Sequence, residues 1–401
     1  MGFAEKKFVE DTLTGLQGST GSAPVIGAIA DISGRRMQWI VAFSAMYVAG
    51  SYALWWTYPD ASTMWWMLVA FGIGFIGAEF ALIFINAQLP SLGASDEVGE
   101  ISGSGFAFGY LGGLAALAIM LALFVEQPNG RTLIGLPPAL GLDAGTMEGT
   151  RAVGPFTALW YLIFMIPYFL WFRDPPRPSG RATVVKALRH VIDSIVALKT
   201  RGSLAAYLGS SMLYRDALNG LYGFGGVYAR LVLNWELTAI GIFGIVALIS
   251  SALFCWFGGK LERVWGPKRV IILSIVFLAL VCTVLAGMSR ESIFGVPLPE
   301  GSTLPDMIFF GCGVLIGGMG GVLQSSSRSL MVRHADSDTP TESFGLYGLS
   351  GRATAFIAPA LIGLVTAATG SNRIGITPVI GLFVLGLILL VWVKAEGDQQ
   401  A

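Results

Sequence analysis

The sequence predicts an all-α polytopic membrane protein built as two related halves, and three observations carry that prediction. Hydrophobic residues make up 54% of the chain and charged residues 12%, with a mean hydropathy of +0.69, which is too apolar for an ordinary soluble domain. The apolar residues fall into runs long enough to cross a bilayer as helices rather than into short alternating segments. A turn motif occurs twice. Gly27-Ala28-Ile29-Ala30-Asp31-Ile32-Ser33-Gly34-Arg35-Arg36 returns in looser form at Gly258-Gly259-Lys260-Leu261-Glu262-Arg263-Val264-Trp265-Gly266-Pro267-Lys268-Arg269.

Both copies leave one apolar run and enter another. In each, a glycine (Gly27, Gly258) lies four residues before an acid (Asp31, Glu262), and a second glycine (Gly34, Gly266) precedes a basic pair (Arg35-Arg36, Lys268-Arg269). Glycine lets neighbouring helices approach and lets a tight turn take positive φ. The acid is expected where a facing helix N-terminus or a basic residue can bind it, and the basic pair holds the turn in the cytoplasm.

Taken in order, Met1 to Asp11 carries Glu5, Lys6, Lys7, Glu10 and Asp11 with no long apolar core behind them, so a signal peptide is not expected. From Leu13 to Ala30 the chain is only weakly apolar, with Gln17, Ser19, Thr20 and Ser22 interrupting it. Beyond the first turn, ten spans are expected at 38–57, 64–89, 104–125, 154–172, 204–229, 237–257, 269–289, 307–332, 343–369 and 374–393. Each is long enough for the roughly 30 Å hydrocarbon layer. With the weak first one, eleven candidates are visible.

The loops orient them. With the Arg35-Arg36 turn inside, the cytoplasmic side holds Arg35, Arg36, Arg173, Arg177, Arg181, Lys186, Arg189, Lys199, Arg201, Lys260, Arg263, Lys268, Arg269, Arg333 and Lys394, and the outer side only Arg131, Arg151, Arg230, Arg290 and Arg373. Fifteen against five satisfies the positive-inside rule. Six spans separate the two motifs, so both land on one side.

The expected organisation is a helical bundle over 1–172, a cytoplasmic linker over 173–203, a six-helix bundle over 204–393 and a cytoplasmic tail over 394–401. The linker begins Arg173-Asp174-Pro175-Pro176-Arg177-Pro178 and continues as an amphipathic helix, with Val184, Val185, Leu188, Ile192, Ile195 and Val196 as its interfacial stripe. Residues 126–154, rich in Gly and Pro, read as an irregular outer loop, and Trp55, Trp56, Trp65 and Trp66 as an aromatic belt.

Charged groups inside spans are costly and tend to face a wet cavity or a partner. Here they are Glu79, Arg215, Asp216, Arg328 and Arg352. Glu79 and Asn86, seven residues apart, share a helix face; Arg215, Asn219 and Tyr222 share another, with Asp216 turned about 100° from Arg215. Glu79, Asn86, Arg215, Asp216, Asn219 and Arg352 are expected to line a path for substrate and protons. Arg328, near Arg333 and the cytoplasmic surface, reads as snorkelling or holding a loop. The glycines at 311–321 and 345–351 suit close, sliding helix contacts, and Pro359 suits a kink.

Other chemistry is thinly supplied. Cys255, Cys282 and Cys312 lie in apolar runs without C-x-x-C spacing and read as core residues. His190 and His334 are the only histidines, both placed in cytoplasmic loops, so neither a metal site, a cofactor nor an enzyme is expected. Zero net charge gives no sign of a nucleic-acid partner.

The turn motifs, together with Ala78-Glu79-Phe80-Ala81-Leu82 and Asn86, Met212-Leu213-Tyr214-Arg215-Asp216-Ala217-Leu218-Asn219, Ser327-Arg328-Ser329-Leu330, and Phe344-Gly345-Leu346-Tyr347 running into Leu349-Ser350-Gly351-Arg352-Ala353-Thr354, resemble the major facilitator superfamily. Within it they are similar to the branch of the vacuolar amino-acid effluxers of autophagy. The resemblance covers Pro24 to Val393 and implies twelve helices in two bundles, with alternating access to a central site. Against those twelve, the first helix is expected to be missing ahead of Leu13. The expected function is secondary transport of a small polar solute, amino acids among them, with proton coupling, by a monomer in a bacterial-type inner membrane or a vacuolar one. The alternative is a non-transporting sensor or degenerate paralogue of the same fold.

Overall fold

The computed structural model describes residues 23–60, 62–173, 180, 183–336 and 338–398. The charged start, the beginning of the weak span at Leu13, and the linker positions Asp174 to Pro178 and Arg181 lie outside the described residues. The helices, in chain order, are α1 (Ala23–Ser33), α2 (Arg36–Ala53), α3 (Met64–Asn86), α4 (Val98–Leu123), α5 (Val153–Trp171), α6 (Val184–Ala197), α7 (Gly202–Leu231), α8 (Leu237–Trp265), α9 (Pro267–Gly287), α10 (Leu304–His334), α11 (Pro340–Ala353), α12 (Ile357–Thr369) and α13 (Thr377–Leu390). A single turn, Glu148–Arg151, precedes α5, and a short hairpin pairs Ser292–Ile293 with Val296–Pro297.

Seven stretches among the described residues are long and apolar enough to cross a membrane, and this is an integral multi-pass membrane protein. Along α5, Leu159, Ile163, Phe164, Ile166, Leu170 and Trp171 are exposed, a face that lipid would cover and water would not tolerate. α7 has the length, at 30 residues, but carries Arg215, Asp216 and Asn219 at its middle.

Three expected spans differ from the helices. The span expected at 104–125 begins earlier, at Val98, because the polar residues of its first turns have partners within the fold. The span expected at 237–257 runs on to Trp265 and takes Glu262 into the helix; Gly266, at φ 76°, ends it. The span expected at 343–369 is two helices, interrupted at Thr354–Phe356. Pro359 accounts for the break: it has no N–H for the Ala355 carbonyl, and its ring crowds the preceding turn.

The chain forms two compact units. The first takes in α1 to α3, the later part of α4, α5, the first half of α6 and the start of α11 (residues up to 88, 112–191 and 338–346). Its α2–α3 pair is drawn together by glycines: a Cβ on Gly50 would lie 2.3 Å from the Gly74 nitrogen, and one on Gly77 2.5 Å from the Tyr47 nitrogen. Phe43 and Phe80 stack there at 4.7 Å. α6 packs Ala187 and Val191 against Val25, Ala28, Ile29 and Ile32 of α1, while its wide stripe, Val184 to Val196, stays exposed.

The second unit takes in 89–111, 192–337 and 347 onward. Close glycine contacts recur: Gly317 sits where a Cβ would meet the Ala247 carbonyl at 2.2 Å, and Gly103 where one would meet that of Cys255 at 2.5 Å. Phe243, Phe309 and Tyr228 stack in series. Cys255, Cys282 and Cys312 are buried and free.

Candidate functional site

In the first unit the turn motif is built around one buried carboxylate. Gly34, at φ 63°, lets the chain reverse between α1 and α2. Asp31 at the end of α1 and Arg36 at the start of α2 are both buried, with Arg36 Nη2 3.3 Å from Asp31 Oδ1. The first turn of α11 completes the set. The Glu342 amide donates to Asp31 Oδ2 at 2.9 Å and the Thr341 hydroxyl to Oδ1 at 2.6 Å, while Arg36 Nε donates to Thr341 Oγ1 at 2.9 Å and Nη1 to the Ala87 carbonyl at 3.2 Å. An α-helix leaves its first amides without internal partners and positive at that end, which is the chemistry a carboxylate satisfies. Gly27 makes the approach possible, since a Cβ there would lie 2.7 Å from the Thr341 carbonyl oxygen. Arg35 is exposed, and His190 Nδ1 lies 2.8 Å from Glu342 Oε2.

The second copy, in the second unit, uses its acid differently. Glu262 is buried against the first turn of α4, where a Cβ on Gly99 would meet Oε1 at 2.5 Å. Lys268 does not pair with it but donates to the Val393 carbonyl at 2.6 Å, and Arg269 is exposed. Arg328 neither snorkels nor holds a loop. Its Nε donates to Ser102 Oγ and its Nη2 to the Ser102 carbonyl, both at 3.0 Å, and its guanidinium lies 4.7 Å above Phe106. Ser102 wins because one residue offers two acceptors matched to the planar guanidinium.

Arg215 and Asp216, adjacent on α7, do not pair. Arg215 donates to the Tyr347 carbonyl at 2.9 Å and covers the Tyr347 ring at 4.2 Å. It occupies the recess left by Gly351, where a Cβ would lie 2.3 Å from its Cζ. Asp216 is 1% exposed and its Oδ2 accepts the Ala358 amide, in the first turn of α12, at 2.9 Å. Asn219 is exposed one turn further on, and Arg352 is half-buried in the last turn of α11. Glu79 and Asn86 are half-buried on α3, in the first unit. That unit also has an apolar cavity of about 570 Å³ lined by Tyr47, Ser51, Phe71, Phe75 and Arg151; its lining includes Ala78 but neither Glu79 nor Asn86.

Sequence reasoning missed several of these partners. Thr341, Glu342 and Tyr347 gain roles only from residues more than a hundred positions away, and no local pattern announces that. His334 was expected in a loop but is the buried last residue of α10, bonded to Ser203 at 2.8 Å.

The profile of proteins described as "Vacuole effluxer Atg22 like" matches residues 20–401. The chain belongs to this Atg22-like family. Over 383 residues it is 22% identical to an uncharacterized MFS-type transporter, YxiO, of Bacillus subtilis, covering 93% of this chain and 81% of that protein. It is 23% identical over 320 residues to Autophagy-related protein 22-1 of Neosartorya fischeri, covering 75% of this chain and 49% of that one, so it spans about half the length of that fungal relative. Among solved structures, the fucose:proton symporter FucP of E. coli superposes with a TM-score of 0.69 at 13% identity, covering 95% and 93% of the two chains. A bacterial homologue of the iron transporter ferroportin gives 0.67 at 13%, covering 96% and 90%. The human organic anion transporter MFSD10 gives 0.64 at 18%, covering 94% and 83%. The fold of this Atg22-like chain is that of the major facilitator superfamily, and its family is one of membrane transporters for small solutes, not of enzymes.

Proposed function

We propose that this Atg22-like protein moves small polar solutes, amino acids among them, by alternating access, with proton movement as the driving force. The observation that carries the reading is the placement of Arg215. A permanent cation in the middle of a membrane helix is expensive, yet this one is fixed in a glycine recess against an aromatic ring and a backbone carbonyl. An anchored guanidinium is suited to a carboxylate, the group amino acids share.

In this reading Arg215 holds the solute carboxylate, with Asn219 and Arg352 as further polar contacts on the same unit. Glu79 and Asn86 serve on α3, with Glu79 exchanging the proton. The halves 1–172 and 204–393 are the moving bodies, joined by 173–203. The Asp31–Arg36–Thr341–Glu342 network is the latch made and broken at each cycle, with Gly27, Gly34 and Arg35 shaping its turn. Glu262, Gly266, Lys268 and Arg269 form its counterpart. The protein acts as a monomer in a bacterial-type inner membrane.

The test is thermal unfolding of purified protein against amino acids, sugars and nucleosides, since a ligand stabilises the state it binds. Amino acids are expected to raise the Tm and Arg215→Gln to remove the rise. Stabilisation by sugars alone, or an undiminished response in Arg215→Gln, would overturn the assignment.

A further inference from the structure

Around the break between α11 and α12, two buried side-chain oxygens have no hydrogen-bond partner among the described residues. Asp216 is 1% exposed; Oδ2 is satisfied by the Ala358 amide, but Oδ1 is buried and has no hydrogen-bond partner among the described residues. No described basic side chain makes an ion pair with it, Arg215 being held on Tyr347. The Thr354 hydroxyl, one helical turn before Ala358, is 8% exposed and likewise unpartnered. Between them lies Ala355, whose carbonyl has lost its helical donor to Pro359. The carbonyls at the end of α11 add the negative end of one helix dipole beside the positive first turn of α12, whose Ala358 amide already serves Oδ2. Gly220 sets the spacing: a Cβ there would lie 2.7 Å from Ala358 Cβ, so only glycine lets α7 come this close to the break.

A buried carboxylate with a single hydrogen bond is unfavourable unless it takes up a proton or a cation accompanies it. The donors on offer are a carboxylate, a hydroxyl and a backbone carbonyl, all hard oxygens, with no imidazole or thiolate among the residues named. That set excludes the softer transition metals. One carboxylate supplies one negative charge, which balances a monovalent ion and falls short of the several acids that divalent sites use. Broken membrane helices are a recurrent way to present such oxygens to sodium.

We propose that Asp216 Oδ1, the Thr354 hydroxyl and the Ala355 carbonyl form a binding site for one sodium ion. The ion neutralises Asp216 and ties α7 to the break, so binding stabilises the packing of α7 on α12. This rests on the transporter reading only for the use made of the ion; binding itself is a separate observable.

The experiment is thermal unfolding of the purified full chain at fixed pH and ionic strength, titrated with NaCl, KCl or choline chloride. Sodium alone is expected to give a saturable rise in Tm. Asp216→Asn is expected to abolish it, Thr354→Val to shift the half-saturating concentration by about ten-fold or more, and Thr354→Ser to restore it. Should Asp216→Asn fail to fold, the Thr354 pair carries the test. An equal response to potassium, a sodium response intact in Thr354→Val, or stabilisation that follows pH without sodium would each overturn the site, the last identifying a proton instead. Solute flux that is absent while sodium still stabilises would overturn the transport reading and leave the ion site standing.

Discussion

Replacing Gly27 by Ala tests the geometry of the turn motif at its tightest point. The new Cβ would lie 2.7 Å from the Thr341 carbonyl oxygen and 2.9 Å from its carbon, against an ordinary contact of 3.4 Å or more. These are backbone atoms, so α1 and the start of α11 must separate by about 0.7 Å. That displacement takes the 2.9 Å bond from the Glu342 amide to Asp31 beyond hydrogen-bonding range. Losing a hydrogen bond to a charged group costs about 1.5–3 kcal/mol, and forced overpacking about 1–3 kcal/mol. Because relaxation relieves one at the expense of the other, the expected destabilisation is about 2–5 kcal/mol. Gly112→Ala on α4 is the control: nothing lies within 4 Å of its Cβ, and alanine should stabilise the helix slightly. Unfolding of both variants in mixed detergent micelles measures the difference. If Gly27→Ala were as stable as Gly112→Ala, the close approach that positions Asp31 would be refuted.

Removing the acid itself should be at least as severe. Asp31→Asn leaves Arg36, 2% exposed, without its counter-charge, and a loss of about 3–5 kcal/mol is expected in the same unfolding assay. Arg328→Lys keeps the charge but cannot reach Ser102 Oγ and its carbonyl together, so stability should fall by about 1–3 kcal/mol. Gly351→Ala must push the Arg215 guanidinium from its recess; isothermal titration should show amino-acid affinity reduced about ten-fold with little change in Tm, because only the end of a flexible side chain moves.

How much of this was legible in the sequence depends on how local the cause is. The apolar runs and the Gly34 turn are local, and both were readable. That Asp31 would meet a helix N-terminus followed from its chemistry, but the identity of that helix, some 310 positions away, did not. The second motif copy reads like the first, yet Lys268 reaches Val393 and leaves Glu262 to α4, because a looser spacing sets the basic pair on a different face. Pro359 announced a kink; that Asp216 would meet the Ala358 amide beyond the break and that the Thr354 hydroxyl would be buried without a partner were invisible, since both depend on which helices pack together. Glu79 stood out as a charge within a span, and the fold leaves it half-buried on α3.

The most direct measurement is uptake of a labelled amino acid into proteoliposomes holding the purified protein, with and without an imposed pH gradient. Gradient-driven accumulation is expected, abolished by Arg215→Gln and reduced to gradient-independent exchange by Glu79→Gln. Accumulation driven fully by pH in Glu79→Gln, or no amino-acid flux by the unaltered protein under either condition, would contradict the transport reading.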